Sequence, residues 1–192
     1  MAKEKEIIDI INVNLQAILN TKPFQLGLFA GIAEMVTRAD GEESVNYACL
    51  VDNYGNCTEV GIDDRYPYQS YFIQTGFESE SDAPFGDEAF VSNQKSEFTM
   101  VVLGNRRSLQ LTPQVLISAV DLAFTATLTN AQLTTLNLQG MQISDLKFNL
   151  DKQAIYRNEY GLNDLYLQPE YILFTVDFTI ETQVDIGCFS IC

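Results

Sequence analysis

The chain has 192 residues, of which 46% are hydrophobic, 26 are acidic and 11 are basic, so its formal net charge is −15. This length and apolar content suffice for one domain with a substantial core, and no linker-like segment divides the chain. The charge argues against nucleic-acid binding through phosphate neutralisation, which needs clustered Lys and Arg, whereas Arg106 and Arg107 are the only adjacent basic pair. We therefore expect no sequence-specific nucleic-acid binding.

The N-terminal residues and the cysteines bear on localisation. The sequence MAKEKEIIDII contains no apolar signal region, and the apolar run at 24–36 is too short and too rich in glycine to span a bilayer. We therefore expect a protein that is made and kept in a cytoplasm and has no membrane partner. Cys49, Cys57, Cys188 and Cys192 form no CxxC pair, which favours buried or free thiols and indicates no metal or other cofactor.

The chain begins with a predicted amphipathic helix over residues 5–19. Its apolar residues recur at steps of four, four and three: Ile7, Ile11, Leu15 and Ile18. This stripe is typical of a helix that packs on a sheet, and Thr21-Lys22-Pro23 ends it. The next segment, 25–38, fits either a strand or a short helix.

A hairpin and an aromatic strand are predicted next. Residues 47–51 and 57–62 flank the sequence DNYGN at 52–56, whose residue types tolerate the positive φ angles of a hairpin turn. Residues 66–77 are rich in Tyr and Phe, which suits a strand. A base-stacking platform would also use aromatic residues, but it normally accompanies a positive groove, and this neighbourhood is acidic.

Residues 78–96 are predicted to form an extended arm or loop. They carry several carboxylates together with Pro84 and Gly86, and they show neither a helix nor a strand period. A connection of this length is usually functional or disordered, and Phe85 and Phe90 favour an arm that docks on a partner. Calcium binding is the alternative for so many carboxylates, but the ligand spacing of a calcium loop is not reproduced.

The second half of the chain alternates between strands and helices. Residues 97–103 are predicted to form a strand, and Thr112-Pro113 predicts a helix start with Thr as N-cap and Pro at the first position. The stripe of that helix is formed by Leu116, Ala119, Val120 and Ala123. Asn130 is a second candidate N-cap, for a shorter helix that Gly140 closes. Residues 141–150 and 153–160 are predicted strands, and 161–169 a loop.

The clearest pattern in the chain is the strand predicted over residues 171–186. Its apolar side chains occupy alternate positions: Ile172, Phe174, Val176, Phe178, Ile180, Val184 and Ile186. At about 3.3 Å per residue this strand would be roughly 50 Å long, so we expect it to bend, twist or project beyond its sheet and find a partner elsewhere. The fold class is therefore α+β, with a largely antiparallel twisted sheet, the N-terminal helix and one or two further helices on one face, and a long projecting loop.

No catalytic motif is present. The chain lacks His, which removes Ser-His-Asp and Cys-His nucleophile activation and the commonest zinc ligand. Asp63-Asp64, or Asp177 with Glu181, could supply the two carboxylates of a glycosidase, but a solvated strand face explains Asp177 and Glu181 without chemistry. We predict that the protein is not an enzyme, and a hydrolase that uses only carboxylates is the remaining enzymatic alternative.

The order of these elements resembles the small ring and tail-completion proteins of tailed bacteriophages, in particular connector components of crAss-like phages. The features that carry the resemblance are the N-terminal helix, the acidic and aromatic-rich middle, the helix that begins at Thr112-Pro113, and the long strand that follows EY…QPEY. The resemblance implies a virion structural protein, assembled in the host cytoplasm, that forms a ring around the DNA channel between portal and tail.

Such a protein would contact copies of itself, the portal and other ring or tail proteins, and DNA would pass through the channel without being bound. We expect the assembly contacts on the acidic arm, at the arginine pair, on the last strand and in the final residues: Glu78, Glu80, Asp82, Phe85, Asp87, Glu88, Phe90, Arg106, Arg107, Asp177, Glu181, Asp185 and Phe189. A cytoplasmic β-rich module that binds a small apolar ligand is the alternative function, and a closed cavity lined by aromatic residues would favour it.

Overall fold

The computed structural model describes residues 2–20, 22–40, 43–52, 54–60, 65–81, 91–126, 138–152, 154–155 and 171–185. The helices are α1 (Ala2–Ile18), α2 (Lys22–Gln25), α3 (Arg106–Leu109) and α4 (Pro113–Thr125), and the strands are β1 (Leu28–Asp40), β2 (Glu43–Val51), β3 (Cys57–Val60), β4 (Tyr68–Ser81), β5 (Val91–Asn105), β6 (Leu138–Asn149) and β7 (Tyr171–Asp185).

The strands form one open sheet in the order β3-β2-β1-β4-β5-β7-β6. All neighbours are antiparallel except β1 and β4, which are parallel. The predicted α+β class with a largely antiparallel sheet is confirmed. The parallel pair was not predicted, because nothing local to β1 indicates which strand it will join.

The strand β7 lies inside this sheet and is paired along its whole described length. It pairs with β5 at every position from Tyr171↔Asn105 to Asp185↔Val91, and β6 covers most of its other edge. The prediction that this strand outruns its own sheet is therefore wrong. Its neighbour β5 is equally long, at 15 residues. This length was not predicted, because the mainly polar residues 91–96 lack the alternation of a half-buried strand. We call the end of the sheet at Tyr171 the base and the end at Asp185 the tip.

The core is divided between the two faces of the sheet. The larger cluster combines apolar residues of α1 and α4 with alternate residues of β4, β5 and β7, and its centre is Phe178, which stacks on Phe98 and contacts Phe124 of α4. The smaller cluster lies on the opposite face near the base and includes Tyr71 and Leu173. The smaller cluster covers part of the face of β7 that was predicted to be solvated. On that face of β7, Thr175 and Thr179 are buried, whereas Asp177 and Glu181 are exposed.

Several local predictions are confirmed. The stripe of α1 is buried except for Ile18, which is half-buried. Thr112 caps α4 by accepting a hydrogen bond from the Val115 backbone N–H, Pro113 occupies the first turn, and the predicted stripe of α4 is buried. The predicted hairpin is formed by β2 and β3, with Gly55 at a φ of 81° in its turn.

Other local predictions are corrected. Residues 78–81 and 91–96 belong to β4 and β5 and pair with each other, so the ends of the predicted arm are strand, and residues 82–90 lie outside the described residues. Gly140 is part of β6 and does not close a helix. Residues 154–155 are helical, with the Ile155 N–H donating to the Asp151 carbonyl at 2.9 Å, and not part of a strand. The Asn130 helix and the loop at 161–169 lie outside the described part.

A disulfide joins Cys49 and Cys57, which corrects the prediction of buried or free thiols. Cys57 pairs with Val51 in the β2–β3 ladder, so Cys49 lies diagonally opposite it, with 5.5 Å between the two Cα atoms. This separation is typical of a disulfide. The pair was missed because CxxC spacing was the criterion, whereas a hairpin brings together cysteines that are eight residues apart.

Candidate assembly surfaces

Apart from Asp177, the predicted acidic residues that the structure describes lie towards the tip of the sheet. Glu78 and Glu80 of β4, Lys95 of β5 and Glu181 of β7 line one open cleft of about 500 Å³, together with Met141 and Gln142 of β6. We call this cleft the acidic trough. The strands that line it are neighbours in the sheet, so the trough exists only because β4, β5, β7 and β6 pair side by side.

Lys95 occupies the centre of the acidic trough. It pairs directly with Glu78 on one side and with Glu181 on the other, and its Nζ lies 3.4 Å from Oε1 of Glu97, two residues along β5. The hydrogen bond and charge of Glu97 raise the pKa of Lys95, with smaller contributions from the charges of Glu78 and Glu181. One cation among these carboxylates leaves the trough with an excess of negative charge.

Asp177 lies on the same face of β7 as Glu181 but closer to the base. Its carboxylate accepts a hydrogen bond from the Thr99 hydroxyl at 2.7 Å, and Lys147 of β6 is its cross-strand partner. Four residues along a strand separate Asp177 from Glu181 by about 13 Å, whereas the carboxyl groups of glycosidases are about 5–9.5 Å apart. Asp177 and Glu181 therefore do not have the spacing of the catalytic pair for which they were considered, and Asp63-Asp64 lies outside the described residues.

Four basic residues lie at the opposite end of the sheet, where the acidic Asp151 directly precedes Lys152. Arg106 and Arg107 begin α3 directly after β5. Arg65 lies just before β4, at the same end of the sheet, because the Pro67 carbonyl accepts a hydrogen bond from the Asn105 N–H. Lys152 also lies here, since its ammonium donates to the Tyr171 carbonyl at the start of β7. Burial lowers the pKa of Lys152, and the positive charge of Arg106 lowers it further. We call Arg65, Arg106, Arg107 and Lys152 the basic end.

The acidic trough and the basic end are far apart. The ten residues of β5 between Lys95 and Asn105 span roughly 33 Å at the rise of an extended strand. The sequence prediction grouped Glu78, Glu181 and the arginine pair as one set of assembly residues, but the fold places them at opposite ends of the same sheet.

A second surface arises where β1 and β4 separate. Their parallel ladder ends at Ala33↔Ile73; towards the tip, β1 pairs with β2 and β4 with β5. A register shift in β4 between Gln74 and Gly76 bends the strand at this point. A Cβ at Gly76 would lie 2.9 Å from Oε2 of Glu97, so a larger residue there would require the exposed Glu97 side chain to move. We call the gap between the diverging strands the fork; it is closed at the base and open at the tip.

The remaining predicted assembly residues fall into two groups. Asp185 is the last residue of β7, at the tip, where it pairs with Val91. The others lie outside the described residues: Asp82, Phe85, Asp87, Glu88, Phe90 and Phe189. Lys95, which lines the acidic trough, and its ion-pair partner Glu97 were not predicted. The alternation of Lys95, Glu97 and Thr99 indicates a strand face, but the sequence does not state which strands lie beside it.

A scan against protein-family models found no match, and a search of curated proteins also found none. Within the described ranges, no three Cys, Asp or Glu side chains are grouped so that they could hold a metal ion. No helix in the part of the chain that the structure covers is long and apolar enough to cross a membrane.

Proposed function

We propose that this protein is a virion structural protein whose copies join, the tip of one to the base of the next, into a ring. In a tailed bacteriophage this ring is a connector between the head and the tail, or a tail-terminator-like ring, around the DNA channel. The observation that carries the proposal is the opposite charge of the two ends of the sheet. The acidic trough at the tip of one copy complements the basic end of the next.

This charge arrangement favours one type of contact between copies. Among end-to-end contacts, a two-fold symmetric one would place the acidic trough against a second acidic trough, or the basic end against a second basic end, and like charges repel. A head-to-tail contact pairs opposite charges, and it produces a ring when the rotation between neighbours closes. The portal and other tail proteins are the further partners that this reading implies.

The overall charge supports the proposed place around DNA. A subunit with a net charge of −15 repels DNA phosphates, so a duplex can pass a ring of such subunits without being bound. The Cys49–Cys57 disulfide is also compatible with a virion, because disulfides persist on virion surfaces, where the surroundings are oxidising.

The proposal is tested by light scattering and negative-stain electron microscopy of the purified protein, alone and with the portal and tail proteins of the same phage. We expect rings at about 0.05 M salt that weaken at about 0.5 M, because screening shortens the range of the charge contact. A protein that stays monomeric at both salt concentrations and joins neither portal nor tail proteins would refute the proposal.

Charge-reversal variants identify the contact. R106E/R107E and E78K/E181K should each lose the rings, and a chain that carries all four substitutions should regain them because the opposite charges are restored in exchanged positions. D9K/D121K changes the net charge by the same amount as E78K/E181K at exposed positions on α1 and α4 and should keep the rings. Loss of rings in this control would assign the effect to net charge.

A further inference from the structure

The edge strand β3 is held to the sheet by few contacts besides the disulfide. Four residue pairs join it to β2, from Ala48↔Val60 to Val51↔Cys57, and among the described residues β3 has no strand on its other side. Of its four residues only Val60 is buried. Glu59 forms an ion pair with Arg38 at 3.9 Å, but more than half of each side chain is exposed, so water screens this pair. A hairpin with so few contacts is marginally stable by itself.

The turn of this hairpin is held separately from β3. Asp52 Oδ1 accepts hydrogen bonds from the Tyr54 and Asn56 backbone N–H groups, both at 2.8 Å, and Oδ2 accepts one from the Asn56 side-chain amide at 2.9 Å. All three bonds lie within residues 52–56, so none of them holds residues 57–60 against β2. The covalent link from Cys57 to Cys49 is therefore the strongest contact between β3 and the rest of the sheet.

Most of the core does not depend on β3. The larger core cluster contains no described residue of β2 or β3, and the smaller cluster contains only Val60 of β3. In the sheet order, β2 and β1 separate β3 from the central strands β4, β5 and β7. A strand placed in this way can open locally while the rest of the domain stays folded.

The two sulfur atoms of the disulfide differ in accessibility. Cys57 is exposed, whereas Cys49 is completely buried on β2. A thiolate that cleaves a disulfide must reach the sulfur that it attacks, and the other sulfur leaves with the electron pair of the broken bond. Since burial blocks the approach to Cys49, a dissolved thiol reaches Cys57.

We propose that the Cys49–Cys57 disulfide is a redox site, at which a low-molecular-weight thiol such as glutathione attacks Cys57 and thereby releases β3 from the edge of the sheet. In the first step the added thiolate forms a bond to Sγ of Cys57, the Cys49–Cys57 bond breaks, and Sγ of Cys49 leaves with the electron pair and takes up a proton. In the second step another thiolate attacks the sulfur of the added group, which yields the small-molecule disulfide and the Cys57 thiol. Two thiols thus supply the two electrons that the protein disulfide gains.

Cleavage changes which backbone groups the sheet presents at this edge. While the disulfide is closed, β3 covers residues 48–51 of β2, and once the disulfide is open, β3 can leave and the backbone groups of these residues face water. Cytoplasmic thiols keep cysteines reduced, whereas oxidising surroundings favour the disulfide. The edge is therefore loosely covered in a cytoplasm and locked in oxidising surroundings. This inference goes beyond the proposed ring and does not depend on it, because the site needs only the hairpin.

Hydrogen exchange of the backbone amides tests the release of β3. The protein carries C188S/C192S, so that Cys49 and Cys57 are its only cysteines, and it is measured with the disulfide closed and after reduction by excess glutathione. The loop-entropy value for a separation of eight residues corresponds to about a 60-fold change in the opening equilibrium, so the amides of β3 should exchange about 60-fold faster after reduction. C49A/C57A in the same background should show the fast exchange with and without glutathione.

The urea dependence of exchange distinguishes local release from unfolding of the whole domain. In the reduced protein, exchange in β3 should hardly respond to low urea concentrations, because the opening of four residues exposes little surface. Exchange in β7 should rise with urea, because it requires global unfolding. The NMR resonances of β5 and β7 should keep their positions on reduction, which shows that the fold is retained.

Mass spectrometry locates the attacked sulfur. After brief treatment of the C188S/C192S protein with reduced glutathione and an acid quench, peptide mapping should find glutathione on Cys57 and none on Cys49. As a second measurement, C49A and C57A each leave one thiol of the pair, and C49A should form a mixed disulfide with oxidised glutathione at least tenfold faster than C57A. Circular dichroism checks that both variants fold, and the mapping decides the point if one of them does not.

Four results would overturn the inference. If glutathione leaves the disulfide of the folded protein intact, the pair is not a redox site. If exchange in β3 is unchanged after cleavage, or has the same urea dependence as exchange in β7, the disulfide does not control local release of the strand. If glutathione is found on Cys49, or C57A reacts as fast as C49A, Cys57 is not the attacked sulfur. None of these results bears on the proposed ring, which light scattering and electron microscopy test separately.

Discussion

Replacing Phe178 by Ala should remove the main contact between the sheet and the helices. The Phe178 side chain is 2% exposed, and its ring centroid lies 4.7 Å from Phe124, 5.7 Å from Phe98 and 6.1 Å from Phe72. Truncation of a buried Phe costs about 3–5 kcal/mol, since it removes buried apolar surface and leaves a cavity. Each aromatic pair adds about 0.5–1.5 kcal/mol beyond the area term, so we expect the upper half of that range.

Urea denaturation followed by circular dichroism measures this loss. F178A should lower the urea midpoint by an amount equivalent to about 4–5 kcal/mol with an unchanged slope, which is a large part of the about 5–15 kcal/mol that stabilises a domain. Tyr54 is 91% exposed in the β2–β3 turn, so Y54A should change the free energy of unfolding by less than about 0.5 kcal/mol. All variants are measured at the same protein concentration, so that any contribution of self-association to the free energy of unfolding is held constant. A loss below about 1 kcal/mol for F178A, or one equal to that of Y54A, would show that Phe178 is not central to the core.

Three further predictions concern the hairpin, α4 and the acidic trough. Replacing Cys49 and Cys57 by Ser should lower the free energy of unfolding by about 2.5 kcal/mol, the loop-entropy value for a separation of eight residues, and equal urea midpoints would contradict the disulfide. T112A should cost about 1 kcal/mol in the same assay, because the Val115 N–H loses its acceptor, whereas T112S should cost much less. Glu97 raises the pKa of Lys95, so E97Q should move the NMR titration of the Lys95 ammonium towards 10.5. The stabilisation by this pair is complete below pH 10.5 and is lost as the pH rises through the folded-state pKa, and identical titrations would exclude the contact.

The sequence was most informative where one segment alone determines the structure. The apolar stripe of α1, the Thr112-Pro113 start of α4 and the alternation of β7 each follow from residues close together in the chain. The 52–56 turn is of the same kind, because its residue types permit the backbone angles that a hairpin needs. These elements were predicted correctly without knowledge of their neighbours.

Strand length and strand pairing could not be read in the same way. Residues 78–81 and 92–96 are polar on both faces at the tip, so they lack the alternation that marks a half-buried strand. Their pairing with each other, and that of 91–96 with β7, stabilises them through the ladder. For the same reason the acidic trough was recognised only in part: Glu78 and Glu181 were predicted, but Lys95 between them was not.

The outer edges of the sheet and the inner edges of the fork can be compared in how far they are protected against pairing. The edge strand β3 has four residues and is tied to β2 by the disulfide, and the edge strand β6 has a register shift between Ser144 and Lys147, with Asp145 at a φ of 57°. Short, bulged or charged edges resist the addition of other strands. The inner edge of β1 at residues 34–38 has a regular register with β2 and contains no Pro. The inner edge of β4 has a register shift between Gln74 and Gly76, and Glu34 and Arg38 place charges on the inner edge of β1, so the fork edges also carry features that resist strand addition.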